Sequence, residues 1–334
     1  MLAISKKTAL NYSKVPELIA TSDDNSIQIF YVPDHALPAQ NIDICDPLEL
    51  ISKAELFKIR QKYRVPQKVF AAISKCYKDN DVDIDLADQS LSSQLAVQAI
   101  EDRILARLKK EYRARKNIFP FFAPEDSSVR NNHVSVVAAS SAGKTWWITE
   151  CIKRNYADST VYVFTPTPND HLYQELRDSL SKKRIKLINS NDIRLPLRMK
   201  SDILPGSVCV FDDPDATVPE SLQYTSSLQS ELLFHGRHHV DKKSKRGCVV
   251  FSVFHDSFTR GKSGTKSAAV ESTNHVIFPW INKSVSSKYC KNRLHMNKKE
   301  IEKVFKFTKP TDRWCMIKTS VPNCCVTKSG VLLL

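Results

Sequence analysis

The sequence predicts an α/β fold with a mostly parallel sheet, and three observations carry that expectation. From residue 133 onward, short apolar runs alternate with segments of helical periodicity. Such alternation marks strands joined by helical crossovers, with helices on both faces of the sheet. Residues 134–145, Val-Ser-Val-Val-Ala-Ala-Ser-Ser-Ala-Gly-Lys-Thr, run from a strand through a turn of small residues into a helix. Residues 208–213, Val-Cys-Val-Phe-Asp-Asp, close another apolar strand on paired acids.

Strands are expected at 133–138, 160–165, 185–189, 207–212, 247–254, 274–279 and 313–319, with helical patterns between most of them. In open sheets of this kind ligands sit beyond the carboxyl ends of the strands, where Gly143–Thr145 and Asp212 would both lie.

The 134–145 stretch has the layout of a phosphate-binding P-loop. Backbone N–H groups of Ala139, Ser140, Ser141, Ala142 and Gly143 would point at the phosphates, and the following helix would add its positive end. Lys144 would reach the β- and γ-phosphates of ATP, and the Thr145 hydroxyl would sit on Mg²⁺. The pattern asks for glycine at its first position, where this chain has Ala138. A methyl adds little bulk there, but alanine does not relax into φ > 0 as glycine does. A plain strand–turn–helix would share this outline. The flanking strand and the helical pattern of Trp146, Trp147, Ile148, Cys151 and Ile152 favour the nucleotide reading.

An ATPase also needs a carboxylate for Mg²⁺ and a group to orient the attacking water. Asp212 and Asp213 supply both, Asp212 organising the metal and Asp213 polarising the nucleophile. Capping of the helix after Pro214 is the plainer role for these acids, and the loop upstream weighs against it.

Composition sets the limits. The chain has 334 residues, of which 42% are hydrophobic and 26% charged, which is enough for a large domain and a smaller one. No run of about 18 apolar residues occurs, so neither a transmembrane helix nor a membrane partner is expected. The N-terminus shows no signal-peptide hydrophobic region. Nine cysteines without a paired framework read as thiols in a reducing, intracellular compartment. A net charge of +14 points to a polyanionic partner, nucleic acid being the usual one. A basic surface kept for solubility is the alternative.

The N-terminal part, 1–125, is expected to be a mainly helical domain behind an arm with Pro16, Pro33 and Pro38, and 126–334 to be the P-loop ATPase domain. Residues 47–63 and 66–78 read as two helices, with Leu56, Ile59 and Tyr63 on one apolar face and Val69, Phe70, Ile73 and Tyr77 on the other. A DNA-reading helix pair and ordinary core packing both explain them. Asp81, Asp83 and Asp85 imitate a calcium loop, but Leu86 takes the glycine position and Ser92 the place of the bidentate Glu. Residues 91–115 read as one amphipathic helix whose basic face either meets phosphates or is simply solvated. Pro120 and Pro124 mark a linker into the second domain.

The stretch Leu232-Leu-Phe-His-Gly-Arg-His-His239 narrows the field. A helix after a double-acid strand, ending in Gly-Arg-His before another apolar strand, resembles the viral genome-packaging ATPases of the FtsK–HerA superfamily, including the poxvirus-type and Polinton-type enzymes. The resemblance continues through His255-Asp-Ser-Phe-Thr-Arg-Gly-Lys262 to Val276-Ile277-Phe278 and covers roughly 130–320. It implies a RecA-like core that binds ATP and Mg²⁺ through Lys144, Thr145 and Asp212, with Asp213 activating water. It implies that Arg237 is an arginine finger reaching a neighbouring subunit's nucleotide, hence a homo-oligomeric ring, hexameric or pentameric. Double-stranded DNA is the implied cargo, and a capsid or portal-vertex protein the implied docking partner.

Three positions depart from the family pattern. His255 replaces the glutamine that senses the γ-phosphate, Lys266 stands in place of Arg, and Glu271 in place of Asn. A related plasmid or mobile-element pump, or a nucleotide- and DNA-binding protein with weak or lost hydrolysis, remains open beside the packaging reading. His235, His238, His239 and Cys248 lack metal-type spacing and are not expected to bind zinc. The run Lys242, Lys243, Ser244, Lys245, Arg246 is open to three readings: a nuclear-localisation signal, a DNA-tracking loop or a solvated connection.

Overall fold

The computed structural model describes residues 2–5, 17–31, 53–71, 90–108, 111–114, 116–122, 132–180, 184–244, 246–255, 263–320 and 322–334. The stretch Asp81–Asp85, the boundary at 125, and Phe258 and Lys262 of the family resemblance lie outside them. The chain separates into two units, Met1–Ile118 with Ser329–Leu333 and Phe119–Lys328 with Leu334.

The first unit holds strands as well as helices, which departs from the mainly helical expectation. Strand β3 (Gln28–Tyr31) pairs antiparallel with both β1 (Leu2–Ser5) and β2 (Glu17–Ser22). Leu18, Ile19, Ala20, Ile29 and Phe30 are buried. Two apolar runs flank a turn in which the Asp24 carboxylate accepts from the Ser22 hydroxyl at 2.7 Å and the Ser26 amide at 3.2 Å. That is hairpin chemistry. Helices α1 (Lys53–Lys62) and α2 (Leu91–Leu108) follow. The single helix expected over 91–115 is not found: Glu111–Arg113 is a strand, β4, which pairs with the C-terminal strand Gly330–Leu333 and buries Tyr112. Tertiary pairing has overridden local periodicity there.

Strand β5 (Ile118–Pro120) carries the chain into the second unit, an α/β fold with a large, mostly parallel sheet. Its strands are β6 (Val134–Val137), β7 (Val161–Thr165), β8 (Ile185–Asn189), β9 (Val208–Asp212), β10 (Val249–Phe254), β11 (Asn274–Ile277), β12 (Cys315–Lys318) and β13 (Cys324–Thr327). They lie in the order β13-β12-β11-β6-β10-β9-β7-β8. Strands β6 to β11 are parallel, while β12 and β13 extend the sheet antiparallel.

Strands β6, β7, β9, β10 and β11 are buried at every position. Continuous apolar runs, rather than alternating ones, are what a sheet covered on both faces requires. The principal covering helices are α3 (Lys144–Asn155), α4 (His171–Leu180), α5 (Met199–Asp202), α6 (Pro219–His235), α7 (Ser263–Glu271), α8 (Lys283–Asn292) and α9 (Lys298–Phe307). Phe164 stacks on Phe211 with centroids 4.9 Å apart, and Trp147 packs against Phe119 and Trp314 at 5.5 and 6.1 Å.

Among the described residues no helix is long and apolar enough to cross a membrane, and all seven described cysteines are buried.

Candidate functional site

Sheet register brings three carboxyl ends together. Phe254 of β10 is in register with Val137 of β6, and Val253 with Asp212 of β9. The next residue of each strand is therefore a neighbour of the others: Ala138, Asp213 and His255. Two bonds fix the junction, the Ala138 amide donating to the Phe254 carbonyl and the Asp213 amide to the Val253 carbonyl, both at 3.2 Å.

The loop from Ala138 to Gly143 takes the chain from β6 into α3. Ala138 is buried and does not adopt positive φ, so the glycine expected at this position is not needed for backbone freedom. Left-handed backbone is concentrated further on, at Ser141 (φ 60°) and Gly143 (φ 99°). Gly143 is the N-cap of α3 and offers no side-chain cap. The first-turn amides of α3, including those of Lys144 and the half-buried Thr145, thus have no intrahelical acceptor at the end of the helix into which the loop runs. An anion is the natural ligand for such amides at the positive end of a helix.

Lys144 is buried, and its Nζ donates to the carbonyls of Ala138 at 3.0 Å and Ala139 at 3.3 Å. It also donates to Nδ1 of His255 at 3.0 Å. Burial lowers its pKa, and the nearby charges of Asp213 and Asp212 oppose that shift. An ammonium group has no lone pair, so Nδ1 of His255 is the acceptor and its proton sits on Nε2. That Nε2 meets Oδ2 of Asp213 at 2.7 Å. The Ser140 hydroxyl lies 3.1 Å from the same Nδ1. His255 therefore bridges the loop lysine and the second acid.

The two acids differ in environment. Asp212 is 6% exposed, and burial together with the charge of Asp213 pushes its pKa up to about 7. The Tyr173 hydroxyl, itself fully buried, donates to Oδ2 of Asp212 at 2.8 Å and works against that rise, as does Lys144. Asp213 sits in the left-handed region (φ 46°, ψ 54°), a conformation that costs a non-glycine residue about 1–3 kcal/mol. Its Oδ1 is buried without a hydrogen-bond partner. Strained backbone and an orphaned carboxylate oxygen at one residue are the marks of a group held for a ligand.

The donor set fits a triphosphate with a hard divalent cation. Asp212, Asp213 and Thr145 offer oxygen ligands, and Lys144 with the helix amides offers positive charge. No group of three or more His, Cys, Asp and Glu that could hold a metal occurs among the described residues. A Mg²⁺ here would draw its remaining ligands from phosphate oxygens and water, as that ion commonly does.

Arg237 is not part of this cluster. It lies in the short turn Gly236–His238 after α6, whose Gly236 carbonyl accepts from Cys248 just before β10. The His239 carbonyl accepts from Gly206 just before β9. Arg237 thus stands at the amino ends of the strands, separated from the acids by the length of β9, about 16 Å. The neighbouring polar groups are engaged locally: His238 Nε2 accepts from Arg237 Nε at 3.0 Å, and His239 Nε2 lies 2.8 Å from the Ile203 carbonyl.

Tyr173 was not legible as a site residue. The one available signal is positional: it lies in the first turn of the helix after β7, the strand next to β9, and so stands at the same sheet edge as Asp212.

No family model and no curated protein matches the chain. Among solved structures, the genome packaging NTPase B204 from Sulfolobus turreted icosahedral virus 2 in complex with AMPPCP matches with a TM-score of 0.38 and 12% identity, over 62% of this chain and 98% of that one. The same protein in complex with ATP-gammaS gives 0.35 and 10%, over 64% and 100%. The N-terminal domain of zonular occludens toxin from Neisseria meningitidis gives 0.25 and 12%, over 44% and 76%. Likenesses of this size add no weight to the chain's own geometry.

Proposed function

We propose that this chain is an ATPase that drives double-stranded DNA, the cargo being a viral genome moved into a capsid. One observation carries the catalytic part: the convergence of Lys144, Asp212, Asp213 and His255 at the carboxyl edge of β6, β9 and β10, around a left-handed loop.

In this reading the loop amides from Ala139 to Gly143 and the Lys144 ammonium hold the β- and γ-phosphates. Lys144 exchanges its loop carbonyls for phosphate oxygens when ATP arrives. Thr145 and Asp212 hold Mg²⁺, which supplies charge neutralisation at the phosphates. Asp213 uses its unpartnered Oδ1 to accept a proton from the attacking water, while His255 fixes the other oxygen and reports on the γ-phosphate. Arg237, a strand's length away from its own site, serves the site of a neighbouring copy. That role requires a homo-oligomeric ring, and such a finger is worth roughly 10³–10⁵ in rate.

DNA as cargo is supported by the net charge of +14 and by the ordered motifs Gly-Arg-His and Phe-x-x-Gly-Lys in the sequence. A plasmid or mobile-element pump or helicase would use the same core and the same motifs with a different cargo; neighbouring genes for capsid proteins would separate the two, and packaging would add a capsid or portal-vertex protein as docking partner. Phosphate release with and without duplex DNA tests the catalytic assignment. Lys144→Ala and Asp213→Ala should each abolish DNA-stimulated release, and unchanged turnover in both would defeat it.

A further inference from the structure

The geometry points to the helical hairpin α8–α9 as the surface that grips the phosphate backbone of duplex DNA, an inference that rests on the DNA-driving function proposed above. Residues 283–313 contain ten Lys and Arg against three Asp and Glu, a net +7. Half of the chain's net charge of +14 is thus concentrated in under a tenth of its length. The acids are largely occupied by local structure. Glu300 closes the capping box of Asn297, and Asp312 is buried, accepting from the Lys309 amide at 2.7 Å.

The lysines face outward. In α8, Ser286, Tyr289 and Cys290 are buried, and Lys288 and Lys291 are exposed on the opposite side. In α9, Ile301, Val304 and Phe307 are buried, while Lys299 and Lys306 are exposed at a helical spacing that puts them on one face. A ten-residue helix is about 15 Å long, enough to face roughly four phosphates of one strand at about 3.4 Å of axis each.

The hairpin is also well placed and firmly held. Ile277 of β11 is in register with Val137 of β6 on one side and Cys315 of β12 on the other. The chain therefore leaves and re-enters the sheet at the edge that carries the phosphate loop, and the Phe278 ring lies 4.0 Å from where a Cβ on Gly143 would stand. The Tyr289 hydroxyl lies 2.9 Å from Nδ1 of His275 in β11, and Trp280 Nε1 donates to the Thr308 carbonyl at 2.7 Å. Movement at the loop edge can therefore reach the hairpin through packed strands rather than through a flexible tether.

Two other assignments are weaker. The loop 242–246 is basic, but Asp241 accepts from the Ser244 amide at 2.7 Å, and Arg246 donates to Ser159 at 3.2 Å and sits over the Tyr156 ring. It also lies at the opposite edge, beside Gly206. An anionic membrane would draw on the same lysines, yet surface binding needs an apolar face turned outward. Apart from Trp280 and Ile281 at the hairpin's base, α8 and α9 turn theirs inward.

The test uses the full chain, a variant with Ala at Lys288, Lys291, Lys299 and Lys306, and a comparator with Ala at Lys242 and Lys243. Binding of a random-sequence duplex is followed between about 50 and 200 mM salt. The fourfold variant should lose at least tenfold in affinity at the low-salt end. Its slope of log K against log salt should become shallower by up to about 3.6, the share of four phosphate contacts. Phosphate release without DNA should be unchanged, and the comparator should bind like the wild type. If the wild type binds DNA and the fourfold variant matches it in affinity and slope, the surface assignment falls and the DNA-driving function stands. If the wild type hydrolyses ATP but binds phosphatidylserine vesicles and no duplex, both fall together.

Discussion

Nε2 of His255 donates to Oδ2 of Asp213 across 2.7 Å while the other ring nitrogen holds Lys144. The ring thereby couples the group expected on the phosphates to the group expected on the water, and only its uncharged Nε2–H form can do both. When Lys144 turns toward an anion, Nδ1 is released and the hold on Asp213 remains.

Replacing His255 by Ala removes the bond that orients Asp213 and should lower ATP turnover by roughly 10²-fold, the lower end of what a general base contributes when it is held in position. Nucleotide affinity should not weaken, because Lys144 loses a competing acceptor. Gln can remake both bonds and should retain turnover within about tenfold of wild type. Phosphate release and nucleotide titration separate these outcomes, and wild-type turnover in His255→Ala would rule out the bridging role.

Tyr173→Phe removes the hydroxyl that steadies Asp212 and leaves a buried carboxylate oxygen without its donor, a change worth about 1–3 kcal/mol. The hydroxyl holds the Asp212 pKa down, so its loss should raise that pKa above about 7. The acid limb of the pH–rate profile should move to higher pH, and the Mg²⁺ concentration for half-maximal turnover should rise. A purely structural tyrosine would lower thermal stability without moving that limb.

Asp212 should cost the fold stability when it ionises. Its ordinary pKa of 3.8 is raised to about 7 by burial. Between those values the unfolded chain has released the proton and the folded chain retains it, so stability falls as pH rises from about 4 to 7. Above that window the cost is complete, on the order of 2–4 kcal/mol. Asp212→Asn, measured without nucleotide or Mg²⁺, should therefore melt higher than wild type at pH 8 and level with it at pH 4, while losing Mg²⁺-dependent turnover. Equal melting temperatures at both pH values would contradict the assignment.

Gly247 lies against the turn that carries Arg237. A Cβ placed there would collide with the Arg237 carbonyl oxygen and stand 2.7 Å from its Cα. These are backbone atoms, so the turn itself must move. Gly247→Ala should cost about 1–3 kcal/mol in a melt, and turnover of the assembled protein should fall further than that of a dilute monomer. An unchanged melting temperature would show that the turn is not held as described.

The alternation of apolar runs and helical patterns was enough to place β6 to β12, because strands covered on both faces are predominantly apolar rather than alternating, even where a buried Ser135, Ser252 or His275 interrupts the run. Ala138 illustrates a local reading that needed the structure: the sequence pattern asks for glycine, yet the left-handed positions fall at Ser141 and Gly143. The strand β4 and the hairpin partner β13 were not legible. Three or four residues carry too little periodicity to reveal a pairing that depends on a segment far along the chain.

What the sequence determined by itself is local: a strand, a small-residue turn and a helix at 134–155, and a strand ending on two acids at 208–213. What only the tertiary structure decided is which of those ends meet. Lys144 and His255 are 111 residues apart and Tyr173 and Asp212 are 39 apart, and Arg237 stands at the other end of the same strands. Periodicity specifies which face of an element is buried. The order of neighbouring strands is set by how all the buried faces pack at once, and that order put a histidine, a lysine and an aspartate in contact.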